Sequence, residues 1–263
     1  MTDTMTALAP SPRPDIATLK LRDIRAALAA GWRDFRRAPA FGLFFSAFYV
    51  LLGIGMVAFG AGTVTWTLVM SLGFPLFAPF AAVGLYEVSH RLETGTPLIW
   101  REVLGVVIAE KDRQIPWMGA IIVIYFLFWT FLAHMIFALF MGLSVLTNIS
   151  SSFDAFLTAN GLTMIAVELV VGAVFAFVLF CLTVVSLPLL LDKEIDFVTA
   201  MLLSFETVKR NLAVMLIWAV VIATLVFWAM VPLFLGLLVV LPVLGHATWH
   251  MYRRALVAPG QGA

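Results

Sequence analysis

The side chains able to do chemistry in this chain are few, and most stand at the edges of apolar runs. Glu168 is the exception. It falls inside the run 164–191, where a carboxylate is costly enough to suggest a site by default. His134, in the run 117–140, lies at a similar expected depth and is able to pair with it across a helix hairpin. Such a pair would hold a proton or a cation in a solute pathway; the plainer reading is a carboxylate near enough to the headgroups to stay hydrated. His246 and His250 are four residues apart and share a helix face, a spacing compatible with two metal ligands. No carboxylate or thiolate partner accompanies them, and imidazoles so placed more often hydrogen-bond at a helix end. Cys181, the single cysteine, forms no internal disulfide and reads as a small buried side chain.

Enzyme motifs are missing. There is no glycine-rich phosphate loop, no Gly-x-Ser-x-Gly elbow and no His-Glu-x-x-His pattern. Acidic pairs such as Glu110 and Asp112 belong to charged segments and read as solvated surface. The sequence therefore points to no catalytic residue, cofactor or metal.

The elements that must position these residues are membrane helices. With 63% hydrophobic and 12% charged residues and a mean hydropathy of +1.06, the chain carries more apolar surface than a water-soluble core could hide. Residues 1–14, with Pro10, Pro12 and Pro14, read as a disordered tail. No cleavable signal is visible, since the first strongly apolar stretch begins near Phe41. Residues 15–38 read as an amphipathic interfacial helix: Ile24, Leu28, Trp32 and Phe35 form a stripe flanked by arginines, and Pro39 ends it.

Residues 39–254 then form a six-span domain, at about 41–60, 66–86, 117–140, 164–191, 212–230 and 232–250, with a tail at 255–263. The last long run, Leu212 to Trp249, exceeds one span and should fold back at Pro232, which would open the second helix. Pro75 and Pro79 should kink or unwind the second span, and Pro188 lies in the fourth. Gly60 to Thr63 and Thr147 to Gly161 read as external loops. Trp100, Leu104 and Ile108, and then Val198, Met201, Leu202, Phe205 and Val208, give two more amphipathic stripes. The fold class expected is an all-α polytopic bundle of six transmembrane helices as three hairpins, with amphipathic interfacial helices.

Charge placement supports this layout. All 16 Lys and Arg residues fall in the N-terminal region, the two inner loops or the C-terminus, the asymmetry that places both termini in the cytoplasm. Because these cations hug the membrane boundary, the partners expected are the bilayer and its anionic headgroups rather than nucleic acid.

Three stretches, Pro79 to Glu93, Val185 to Asp192 and Gly245 to Arg253, resemble the bacterial integral membrane proteins grouped as domain of unknown function 2189. The last, with its His-Ala-Thr-Trp-His-x-Tyr-Arg signature, is the most specific. The resemblance covers most of the chain after the tail and implies a multi-pass inner-membrane protein without an established activity. It also singles out a candidate cytoplasmic-end signature: Tyr86, Glu87 and Arg91 with His246, Trp249, His250, Tyr252 and Arg253. His90 stands where the family's Ser-Arg-Arg has arginine. Some members carry the label of a cytochrome c oxidase subunit, but a haem-copper core needs imidazoles for two irons and a copper centre, and four histidines at scattered depths do not supply it.

Two function classes follow. One is a non-catalytic accessory or assembly component of a membrane complex, in line with the family's respiratory label. The other is a small-solute or ion transporter or channel using Glu168 and His134. The topology is testable by itself: in a Cys181→Ser background, Ser151→Cys should react with an impermeant thiol reagent added outside and Thr94→Cys should not, and the reverse pattern would overturn it.

Overall fold

A computed structural model describes residues 12–58, 64–142 and 156–261, with the backbone alone at 56, 57 and 64–77. The external turn expected at 60–63 and most of the loop expected at 147–161 lie outside these residues. The described chain is all-α apart from one pair of two-residue strands. In order it forms β1 (Asp15–Ile16), α1 (Leu21–Arg37), α2 (Pro39–Ala58), α3 (Val64–Thr94), α4 (Trp100–Ala109), a short 3-10 turn, and α5 (Ile115–Met141). There follow α6 (Ala159–Thr183), α7 (Ser186–Asp192), α8 (Phe197–Arg210), α9 (Leu212–Met230), α10 (Leu237–Ala255) and β2 (Leu256–Val257).

By length and composition, α5, the broken helix Ala159–Asp192 and α9 are able to cross a bilayer; the pair Leu21–Arg37 and Pro39–Gly55, bent by 101°, makes a fourth if counted as one span. The arginines of α1 argue against that union, and α2 itself is 20 residues long without an Asp, Glu, Lys, Arg or His side chain.

The first departure from expectation is at the termini. Residues 15–16 do not begin a helix; they pair antiparallel with Leu256–Val257, so the two ends of the chain lie side by side. Asn211 fixes the same corner, accepting from the Leu19 amide at 2.8 Å and donating to the Ala17 carbonyl at 3.0 Å.

α1 departs too. Instead of offering its whole stripe to lipid, it packs along α10: Ile24, Ala27, Ala30, Gly31 and Phe35 are buried, and of the stripe only Trp32 is exposed. The backbones come close enough that a Cβ on Gly31 would lie 2.5 Å from the Val243 carbonyl and 2.6 Å from the Ala247 amide. Pro39 does not merely stop α1. It opens α2 after a one-residue break, where its missing amide costs nothing.

Proline acts differently in two places. α3 runs without a break through Pro75 and Pro79, contrary to the expected unwinding. The helix α6 does break, three residues before Pro188, and the gap is closed from outside. The Ser204 hydroxyl of α8 accepts from the Val185 amide at 3.2 Å and donates to the Cys181 carbonyl at 2.7 Å, bridging the rung that the break opens. This explains why Ser204, with Ala200, Leu203, Thr207 and Val208, forms the buried face of α8 while Val198, Leu202 and Phe205 stay exposed. Pro232 does not open α10 either. It sits in a six-residue turn, and α10 starts at Leu237.

The α1–α10 contact yields a direct test. Gly31→Val should lower the unfolding midpoint in detergent by the equivalent of about 1–3 kcal/mol of overpacking, whereas Ala29→Val, on the exposed side of α1, should leave it unchanged.

Candidate functional site

Where α1, α3 and α10 meet, four polar side chains close on one another. Ser89 and His246 are fully buried and Asp34 nearly so. The Ser89 hydroxyl donates to Asp34 Oδ2 at 3.0 Å and lies 2.8 Å from His246 Nδ1. Since Ser89 spends its one proton on the carboxylate, Nδ1 of His246 is the donor in the second contact, which sets that ring's tautomer. His246 Nε2 is buried and meets no partner among the described residues. From one turn further along α10, His250 Nε2 reaches the same Asp34 oxygen at 2.7 Å. Burial works to raise the Asp34 pKa, but the hydrogen bond and charge of His250 and the hydrogen bond from Ser89 prevail, holding the carboxyl below its ordinary range.

A second layer surrounds this cluster. Glu93 accepts from Trp249 Nε1 at 3.0 Å and from Arg253 Nε at 3.2 Å. Asp192, at the end of α7, accepts from the Tyr252 hydroxyl at 2.7 Å and lies 3.7 Å from Arg253. Burial, then the neighbouring Asp192, push the Tyr252 hydroxyl well above its ordinary pKa. Tyr86 stacks on Trp249. Arg91 is held by Glu87 at 2.6 Å and Glu102 at 2.5 Å. His90 sits 3.7 Å from Glu87, whose carboxylate raises the imidazole's pKa against the opposing effect of burial. Burial of Glu87 is outweighed in turn by His90 and Arg91, so its pKa falls. Nearby, Arg113 joins buried Glu110 to Glu194; burial dominates at Glu110 and raises its pKa in spite of the arginine.

All eight residues of the expected signature are thus gathered at this end of the molecule, with Asp192 of the middle stretch among their partners. Asp34 and Ser89 are the two participants that the sequence did not single out. Asp34 lay among arginines in a helix read as facing lipid, and Ser89 stood in the stretch 79–93 without a role of its own; only the fold joins them.

Ser89, His246 and Asp34 carry the three residue types of a hydrolase triad but not its wiring. A nucleophilic serine gives its proton to histidine and presents its oxygen to substrate; Ser89 gives its proton to Asp34 and is sealed from solvent. The arrangement clamps three helices together through a shared carboxylate. Among the described residues no three His, Cys, Asp or Glu side chains assemble as a metal site.

Glu168 and His134 lie elsewhere, on α6 and α5. His134 is exposed, with Nδ1 at 2.7 Å from the Thr130 carbonyl in its own helix. Glu168 is half-buried and lies near enough to feel the charge of His134, though among the described residues the two form no ion pair. An open groove of about 550 Å³ adjoins the clamp on its Asp192 and Arg253 side, where Lys193, Pro12 and Pro14 also contribute walls.

Residues 67–192 match the family described as predicted integral membrane protein, domain of unknown function 2189. The match contains the stretches 79–93 and 185–192 and stops short of the C-terminal signature, a narrower span than the resemblance suggested. Searches of curated proteins and of solved structures find no match.

Asp34→Asn should weaken the clamp by about 1–3 kcal/mol, the cost of replacing the charged acceptor of two buried donors, read as a lower unfolding midpoint. The pH dependence has a definite sign. Because the folded pKa of Asp34 is depressed, its contribution is complete above the unfolded value of about 3.9 and is lost as pH falls through the folded one. Wild type should therefore lose stability in acid more steeply than Asp34→Asn. At His90 the sign reverses, since its folded pKa is raised: the Glu87 contact is fully effective below about pH 6.5 and fades as pH rises through the folded value. His90→Arg should remove that alkaline loss.

Proposed function

With its central segment matched to an integral membrane family of unknown activity, we propose that this protein is a non-catalytic component of the bacterial inner membrane that packs with, or helps assemble, a larger complex. The respiratory chain is the system to examine first. In this reading six apolar helices enter the membrane as three hairpins, α2–α3, α5–α6 and α9–α10. Both termini and the clamp lie on the cytoplasmic side, and α4 and α8 rest at the anionic headgroups.

The observation that carries the reading is a contrast. The polar residues at the clamp are engaged mainly with one another, leaving little for a substrate to meet. The α5–α6 hairpin is nearly bare: only 6% of the apolar window in Ala159–Asp192 is buried by the rest of the described chain. A shallow cavity of about 210 Å³ indents it, where Gly172 leaves room beside Trp129 and Phe175. Small residues next to large ones are the surface against which membrane helices pack closely, since association there relies on close contact rather than on expelling water. A second reading, a proton- or cation-linked solute pathway, is favoured only by Glu168 and His134, which project from these two paired helices.

Gentle solubilisation and affinity purification followed by mass spectrometry should recover a stoichiometric membrane partner, and Ala176→Trp, at an exposed position in the wall of that cavity, should release it without lowering the unfolding midpoint. A pure, monodisperse protein without partners would sink the accessory reading. Solute uptake in proteoliposomes that is abolished by Glu168→Gln would replace it with the transporter.

A further inference from the structure

We infer that the α9–α10 hairpin is re-entrant: it enters from the cation-bearing side, turns back among the acyl chains of the far leaflet, and never emerges. This rests on the membrane reading above and refines its third hairpin. The partner of the turn at 231–236 is then lipid hydrocarbon rather than water.

Depth is set by the neighbouring helix. α2 and α10 run antiparallel in close contact, so α2 serves as a ruler. Gly42 lies against Pro242, the Ser46 hydroxyl is within 3.4 Å of the Leu238 carbonyl, and Val50 clusters with Leu237 and Ala229. At Gly53 an added Cβ would stand 2.6 Å from the Phe234 ring, so the tip of the hairpin is level with Gly53. α2 leaves the headgroup region just after Arg36 and Arg37. From Phe41 to Gly53 is twelve residues, about 18 Å of helix, in a hydrocarbon layer about 30 Å thick. The tip therefore passes the midplane and stops short, while α2 itself continues to Ala58.

α9 is long enough to cross; near its start Met215 and Trp218 are fully buried in the cluster that also holds Ile24 and Ala27 of α1 and Met251 near the end of α10, while Leu212, Leu216 and Ile217 face outward. On the other leg only the six residues Leu237 to Pro242, about 9 Å of helix, separate the turn from the level where α1 crosses α10 at Val243.

The turn is also built for hydrocarbon. It reads Val-Pro-Leu-Phe-Leu-Gly, without a polar side chain, and Val231, Leu233 and Leu235 are 62%, 63% and 52% exposed. A turn standing in water would hold those three side chains there. Three of its amides are satisfied from within: those of Leu233, Phe234 and Leu235 donate to the carbonyls of Val231, Met230 and Pro232, and Leu237, which opens α10, donates to Phe234. Pro232 has no amide to satisfy. Making these bonds puts Leu233 and Phe234 in left-handed backbone, at φ 50° and 64°, a cost that non-glycine residues rarely bear. In water the solvent would pair such groups without strain; in hydrocarbon they must be paired by the chain itself.

Single cysteines at Val231 and Leu235 in a Cys181→Ser background test the inference, with Ser151→Cys and Thr94→Cys as markers of the two sides. An impermeant maleimide should label both turn positions at least about tenfold more slowly than Ser151→Cys from outside, because a thiol in hydrocarbon stays protonated and the thiolate is the nucleophile; both should label fully after denaturation. Nitroxides at the two positions should collide with oxygen, which partitions into the bilayer, more than with an aqueous nickel chelate. Labelling from outside as fast as Ser151→Cys, or a reversed collision ratio, overturns the re-entrant hairpin. Reversed sidedness of the two markers overturns the membrane reading itself.

Discussion

An apolar solvent keeps charge out, and all sixteen cationic side chains stand outside the runs that form α2, α5, α6 and α9; where the ends of the chain's segments meet, the fold follows from the crowding of these charges. Segments far apart in sequence must end there together: the N-terminal arm, the end of α3 with α4, the α7–α8 connection, and the end of α10. Cations alone would repel. Each segment accordingly brings carboxylates, and several of the pairs form across segments: Arg13 with Glu206, Arg113 with Glu194, Arg253 with Glu93 and Asp192. Exposed pairs of this kind contribute little individually. Their effect is to choose which segment lies beside which, and the β1–β2 pairing of the two termini is possible only after that choice.

The second constraint is the backbone. Within an apolar layer each interruption of a helix must be repaired by the chain, and the repairs account for features that look unrelated. Ser204 sits mid-helix in α8 because a hydroxyl is needed at the break before Pro188. Leu233 and Phe234 accept left-handed geometry because their turn has no water to pair with. At the margin the demand relaxes, which is why the one-residue break at Ala38 bends the chain by 101° without any inserted side chain.

These two constraints also separate what was legible in the sequence from what was not. Apolar runs report their solvent directly, so the runs at 117–140 and 212–230 stand close to the ends of α5 and α9. Residues in the end signature were visible as a group only through the resemblance of their stretches to a known family. Partner choice was not visible. The stripe Ile24, Leu28, Trp32 and Phe35 has the same periodicity whether lipid or α10 covers it, and only Gly31, an unremarkable glycine in the sequence, permits the close approach that decides the matter. Prolines were equally ambiguous: Pro75 and Pro188 look alike in composition, yet α3 continues and α6 breaks.

Asp34 shows what that ambiguity conceals. On a lipid-facing helix it would be one acid diluting five arginines; seated against α10 it becomes the shared acceptor for Ser89 and His250. A buried carboxylate is tolerated only with its donors in place, so sliding α1 by one residue along α10 would strand the charge as well as drive Gly31's neighbours into the α10 backbone. The apolar contact and the polar contact thus select the same register by different penalties, steric at Gly31 and electrostatic at Asp34. Since α1 leads into α2, and α2 lies alongside the α9–α10 hairpin, that single register fixes how far the hairpin reaches into the membrane.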